Sequence, residues 1–478
     1  MTWFGFCVQK QKTLNKLIYY LGISIFLFSC SKEEDVYLPK YTYEEGEELS
    51  VGRLTTTILG SNAFDQPIPN LSTIDNRLFF VGNSLFRQNW VSAPASTTAR
   101  DGLGPTFNAR SCSACHNKDG RGLPLQEGQS FSNGFLMRVS LPGNSTNGGP
   151  NPVEFYGDQI QEHANLGVSY EAKVSIRFET ITGQFSDGET YELRKPIYTI
   201  ADEQFGTLQN ALTSPRVGPQ VIGLGFIDAI SNQDILTNVD ENDQNEDGIS
   251  GKANYVWNVQ KQQHELGRFG WKANQPNLTQ QVAGAFHGDM GLTSSLFPNE
   301  NCPTIQQDCL DSVNGGIPEV TDDALHNVMI YSTSLSVPIR RNYEKEEVLK
   351  GKHLFKEMKC SGCHIEAFTT SSYSFNRSLE NIRIRPYSDF LLHDMGEDLA
   401  DNRPDFFASG KEWRTQPLWG IGMIEEVNNH TFFLHDGRAR NIEEAILWHG
   451  GEAQNSKESY KNLTKEDRTA VLAFINSL

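Results

Sequence analysis

Residues 112–116 read "CSACH" and residues 360–364 read "CSGCH". Two cysteines spaced by two residues and followed at once by a histidine suit one chemistry above others. Both thiols can add to the vinyl groups of one porphyrin edge, and the next residue then turns under the iron and offers an imidazole. Cys112, Cys115 and His116 are therefore candidates to hold one covalently attached c-type haem, and Cys360, Cys363 and His364 a second. His116 and His364 would be the proximal iron ligands. Two other uses of such cysteines compete, a four-thiolate zinc site and a pair of thiol–disulfide sites. Zinc has no need of a histidine after each pair. A redox C-x-x-C normally opens a helix in a βαβ context, which this sequence lacks.

The far face of each iron takes a sixth ligand or stays open, and thioether sulfur is usual in electron-transfer cytochromes. Met290 and Met395 occupy matching D-M-G positions and are the candidate distal ligands. His287 and His393, a few residues upstream, are their rivals. Met329 falls on the apolar face of a helix, Met358 lies on the proximal side just before Cys360, and Met137 and Met423 have no counterpart in the other half.

The elements that must position these groups are themselves duplicated. "GNSLFR" (82–87) and "GKHLFK" (351–356) each precede a C-x-x-C-H, "HGDMG" (287–291) answers "LHDMG" (392–396), and "VTDDALHNVMIYSTSL" (320–335) aligns without gaps on "LTKEDRTAVLAFINSL" (463–478). The last pair predicts two helices with Thr321 and Thr464 as N-caps and carboxylates in the first turn. The expected fold is mainly α, with two cytochrome c-like domains, the first carrying a large insertion that contains a small β element. The expected boundaries are 1–29 for an export signal, 30–64 for a tether, 65–337 for the first domain and 338–478 for the second. Inside the insertion, "KVSIRFETITGQFSDGETYELRKPIYTI" alternates β-branched and aromatic residues around an S-D-G turn, which predicts a hairpin.

"DENDQNEDGISG" places Asp243, Asn245, Asp247 and Gly248 at the spacing that opens a calcium loop, where alternate oxygens converge and glycine permits a sharp turn. The position at which an EF-hand carries glutamate is Asn254, so this is not a complete EF-hand; the alternative is a solvated acidic turn. Trp257 and Trp271 are candidates to lie between the haems, or simply core aromatics. Arg268 and Lys272 are candidate partners for haem propionates on charge alone, and Asp436 and Arg438 could orient one. His449 in "LWHGG" reads equally well as a structural histidine. Cys302 and Cys309 are close enough in sequence for a local disulfide.

Across all 478 residues, 59 acidic against 41 basic side chains give a net charge of −18, which argues against a nucleic-acid partner. Lys10, Lys12 and Lys16 precede the apolar run 17–28, which is too short to span a bilayer and the right size for a signal-peptide core. It ends in "LFSC", so Cys30 is the candidate lipidation site, and the acidic "SKEED" that begins one residue later resembles a surface-export signal. An outer-membrane lipoprotein facing the periplasm or the cell surface is the expected location, with a lipid anchor as its sole membrane contact.

Four long stretches carry a family resemblance: "GRFGWKANQPNLTQQVAGAFHGDMG" (267–291), "HDMGEDLADNRP" (393–404), "EWRTQPLWGIG" (412–422) and "FLHDGRARNIEEAILWHGGEA" (433–453). They closely resemble the di-haem oxidoreductase, putative peroxidase family, also labelled thiol oxidoreductase. The last two are similar, more distantly, to the "P-x-L-R-N…HDG…LEEA" region of bacterial di-haem cytochrome c peroxidases. The resemblance implies one haem per domain, one taking electrons from a donor protein of cytochrome or cupredoxin type and the other reacting with hydrogen peroxide or a similar small oxidant. It also implies calcium between the haems. The distant peroxidases place a methionine ligand just before "P-x-L-R-N"; this chain has "KEWRTQP" there, so Met395 supplies the ligand or the site is built differently. A non-enzymatic electron-transfer cytochrome and a surface iron- or haem-handling lipoprotein are the alternative readings.

Overall fold

Each half of the molecule is built on one crossing of two helices. The computed structural model describes residues 41–97 and 99–478, so the expected export signal, Cys30 and the start of the expected tether lie outside the described residues. In the first half, helix Thr73–Arg87 packs on helix Asp322–Ser334; in the second, Glu346–Glu357 packs on Lys465–Ser477. A glycine sits at each crossing. A Cβ on Gly82 would lie 2.0 Å from the carbonyl oxygen of Asn327, and one on Gly351 would lie 1.9 Å from that of Ala470. Asn327 and Ala470 are paired in the gapless alignment, so the duplication seen in sequence is a duplication in space. The caps also match: Thr321 Oγ1 accepts from the N–H of Ala324 and Thr464 Oγ1 from that of Asp467, both at 3.2 Å.

The D-M-G match, in contrast, does not extend to structure. Met290 ends helix Leu278–Met290, closed by Gly291 in the left-handed region at φ 67°. Met395 follows the short strand Leu392–Asp394 and belongs to no helix. Three shared letters were placed by different backbones.

The mainly α expectation holds only in part. Twelve α-helices among the described residues, 29% of the chain in helix, are joined by thirteen strands in six small sheets. The insertion accounts for much of the difference. Its strands Lys173–Gln184 and Thr190–Ala201 pair in unbroken register from Lys173↔Ala201 to Gln184↔Thr190, around the predicted Ser186-Asp187-Gly188 turn. Val174 and Ile176 on one face of the hairpin join a core with Phe135, Met137, Val139 and Tyr156 from a second, three-stranded sheet region.

The hairpin tip crosses to the second half. Arg468, on the closing helix, donates to Asp187 Oδ2 at 2.8 Å and to Glu189 Oε2 at 2.6 Å, and its guanidinium lies 3.9 Å from the Phe185 ring centroid. Residues 41–478 form one compact unit. The expected disulfide Cys302–Cys309 is formed. Among the described residues, no helix is long and apolar enough to cross a membrane.

Candidate haem sites

The two C-x-x-C-H motifs are held in the same way. The phenylalanine of each G-x-x-L-F reaches its histidine: Phe86 lies 6.4 Å from the His116 ring and Phe355 lies 6.0 Å from that of His364. Each phenylalanine also packs 5.2 Å from the closing helix, on Tyr331 and Phe474 respectively. His116 Nδ1 bonds the carbonyl oxygen of Pro219 at 2.7 Å, and His364 Nδ1 bonds that of Tyr387 at 2.8 Å. A carbonyl can only accept, so Nδ1 carries the proton and Nε2 presents its lone pair. That is how a ligand imidazole is oriented toward a metal. Burial lowers the pKa of both rings, that of His364 to about 4, so both are neutral at pH 7.

All four motif cysteines are free, and burial pushes the Cys112 and Cys360 thiols up to about 12. These are neutral thiols, unlike the lowered-pKa thiolates of a redox C-x-x-C. Among the described residues the four cysteines gather into no single metal-sized cluster, which leaves the four-thiolate zinc arrangement without a centre.

Beside the second motif lies a largely apolar cavity of about 220 Å³. Cys360, Cys363 and His364 line it together with Met395, His393, His435, His449 and Trp271. Two arginines line it without a carboxylate partner. Arg414 donates to the Gly270 carbonyl and to Gln416, leaving a buried Nη1 with no acceptor. Arg121, five residues past His116, donates to the carbonyls of Phe432 and Leu434. Burial lowers their pKa values to about 9 and about 10, still protonated at neutral pH. A flat apolar macrocycle with an anionic edge fits this combination of walls and unpaired guanidinium groups.

The di-haem oxidoreductase, putative peroxidase family matches residues 45–478, nearly the whole chain. The chain belongs to that family. No curated protein matches the chain. Among solved structures, the hydrazine synthase of Kuenenia stuttgartiensis is similar over 91% of this chain and 98% of that one, at 13% identity and a TM-score of 0.31. A likeness that slight carries no argument about this di-haem oxidoreductase.

The surroundings of the motifs differ between the two halves of the oxidoreductase. At the first motif Met290, 2% exposed, packs in a core with Trp90, Phe107 and Phe286, against which Cys112 also rests. Asp289 next to it accepts from Gln159 Nε2 at 3.0 Å, and its charge is close enough to raise the pKa of Cys112 and Cys115. Arg138 and Asp158, paired at 3.0 Å, belong to the same group. The rival ligand His287 spends Nε2 on the Asn299 carbonyl at 3.0 Å. At the second motif, His393 has both nitrogens engaged, Nδ1 with Glu452 at 2.7 Å and Nε2 with Asp389 at 2.8 Å.

Trp271 touches the second site and is linked through the 217–219 backbone to the first. It lines the second cavity, and its Nε1 donates to the Val217 carbonyl at 2.8 Å. Two residues on, Pro219 holds His116, and Gly218 between them is so close that a Cβ would lie 3.0 Å from the His116 ring. Trp413 stacks on His435 at 3.7 Å beside it. Trp257 sits elsewhere, edge-on to His264.

The charge-based propionate candidates are already occupied. Lys272 gives all three protons to Asp401, Arg403 and Ser409 and is fully buried. Arg268 bonds carbonyls of residues 227, 228 and 230. Arg438 and Asp436 pair with each other, at 2.9 Å. Arg414 was legible only as part of the family-like "EWRTQP" stretch, and Arg121 carried no signal beyond following a motif. Its place at the second site is a tertiary accident of the first loop's path.

The acidic loop is held by its own side chains: Asp243 Oδ1 accepts from the N–H groups of Asp247 and Gly248, and Asn245 Oδ1 from Asp247 N–H. Asn254 is turned away and bonds the carbonyls of Lys272 and Asp405. The loop exits onto the second motif. Ile249 lies where a Cβ on Gly362 would be, at 2.5 Å, and Ser250 donates to Glu452, the partner of His393.

Proposed function

We propose that this di-haem oxidoreductase attaches one c-type haem at each motif and reduces hydrogen peroxide or a similar small oxidant. Electrons would come from a donor protein of cytochrome or cupredoxin type, received on an acidic surface. The observation that carries the reading is the repeated unit of two free thiols and one carbonyl-anchored imidazole, with Trp271 lining the second site and bonded to Val217, two residues from the anchor of His116. Bound haem supplies the redox chemistry. The chain's part is to orient Nε2 of His116 and His364, to neutralise propionates with Arg121 and Arg414, and to keep bulk water from the second cavity with apolar walls.

Polar groups collect at the first motif, where Asp289, Gln159 and Arg138 can hydrogen-bond a small polar oxidant, so oxidant reduction is assigned there and electron entry to the second. Met290 is the remaining ligand candidate at the first iron and must give way for an oxidant to bind. Asp243, Asn245 and Asp247 are assigned to calcium, which would brace Ile249 and Ser250 against the second motif. The chain is placed on the outer membrane through a lipid on Cys30; Cys30→Ser should then move it to the soluble fraction.

The deciding experiment mixes half-reduced holoprotein with hydrogen peroxide. The one ferrous haem should reoxidise, with a high-spin signal appearing on half reduction, and Trp271→Phe should slow the step by at least tenfold while leaving both haems bound. Two low-spin haems indifferent to peroxide would show a pure electron-transfer protein instead.

A further inference from the structure

We propose that His449 is the iron ligand on the face of the second haem opposite His364. The inference rests on the reading that Cys360, Cys363 and His364 hold that haem.

His449 lines the same cavity as His364. Its Nδ1 donates to the Ala445 carbonyl oxygen at 2.6 Å. That oxygen is among the last of helix Ile442–Trp448, free because no further turn follows it. The bond fixes the ring and leaves Nε2 with a lone pair and no hydrogen-bond partner. The same device, Nδ1–H on a backbone carbonyl, orients His116 and His364. His449 is also close enough for its charge to act on His364. Three histidines of the described chain thus share one preparation for metal, and two of them line one cavity.

The competing donors are weaker on the same grounds. His393 has no free nitrogen. His435 lies flat on Trp413, 3.7 Å away at an interplanar angle of 10°, and would lose that stack by turning. Met395 lines the same cavity, and its backbone runs beside that of His449: a Cβ on Gly450, next to His449, would sit 3.0 Å from the Met395 carbonyl oxygen. With His364 on one face, the iron has one further axial position, so thioether and imidazole compete for it. The imidazole is held in place by a hydrogen bond; no such bond orients the methionine sulfur. Two imidazoles give a lower potential than imidazole with thioether, so exchanging His449 for methionine should raise the potential of the second haem.

The test uses full-length ferric holoprotein, read by electron paramagnetic resonance and visible absorption. His449→Ala should keep both haems yet convert one from low to high spin, and added imidazole should restore the low-spin signal. Met395→Leu should leave the second haem's spectrum unchanged. If His449→Ala does not fold, His449→Met serves: it should introduce the thioether-to-iron band at the red end of the spectrum and raise one midpoint potential. A second haem that stays low-spin in His449→Ala, or a thioether band of that haem that vanishes in Met395→Leu, would overturn the assignment. Failure of the underlying reading looks different: the double variant Cys360→Ala, Cys363→Ala would lose no haem.

Discussion

His116 finds its carbonyl partner 103 residues away in sequence, and His364 finds its own only 23 away. The two rings are nevertheless held by the same bond, beside the same phenylalanine, at the same helix crossing. The long insertion of the first half returns at Pro219 to supply the same bond on the proximal side. The difference falls on the other side. There the first motif meets Asp289, Gln159 and Arg138, while the second meets apolar walls, His449 and Met395. One construction for holding an imidazole has been combined with two environments, which is how a duplicated unit can divide its labour.

The comparison breaks first if the crossings are not equivalent. Gly82→Ala and Gly351→Ala each push a methyl into a carbonyl at 2.0 and 1.9 Å, with backbone on the far side that cannot yield locally. Each should cost about 3 kcal/mol. Thermal unfolding of the two variants should show similar losses; a large loss in one alone would mean that the halves carry unequal loads.

A second contrast lies in charge. In the insertion, burial raises the pKa of Glu162 to about 7 and of Glu171 to about 8. A carboxyl whose pKa is higher folded than unfolded binds more protons when folded, so stability falls as pH rises from about 4.5 through these values. In the second half, Glu452 is lowered to about 2, with hydrogen bonding from His393 the largest cause that outweighs its burial. That contribution is complete above about pH 4.5 and is lost as pH falls toward 2. Amide exchange, corrected for the intrinsic rate, should show residues 162–174 loosening between pH 5 and 8, and residues 393–396 loosening only below pH 4. The same pH response in both segments would remove the contrast.

The smallest expected effect concerns the acidic loop. Calcium chelation should perturb the absorption of the second haem slightly and the first hardly at all, because the loop ends on Gly362 and Glu452. Titration of the holoprotein with chelator and then calcium checks this, and equal shifts at both haems would argue against a local brace.

Some features needed no tertiary information. A C-x-x-C-H must hold its three groups within one turn, a helix N-cap is a matter of three residues, and a hairpin is set by alternation and its turn, so all of these were legible. The alignment of 320–335 on 463–478 was legible too, but the glycine crossings of these helices were not, because a close approach of two helices is set by tertiary packing. The repeated D-M-G misled: three letters cannot specify whether their backbone is a helix end or a strand end.

Charged partners were misjudged for a related reason. Lys272 and Arg268 looked free in sequence, but their acceptors are backbone carbonyls and an aspartate distant along the chain. What the sequence by itself determined is the local chemistry: two thiol pairs, two imidazoles and the helices that bracket them. The tertiary structure alone decided which carbonyl fixes each ring, which arginines are left unpaired, and which side chains face the imidazole across each site. Those depend on contacts between residues far apart in the chain, and distance along the chain places no bound on them.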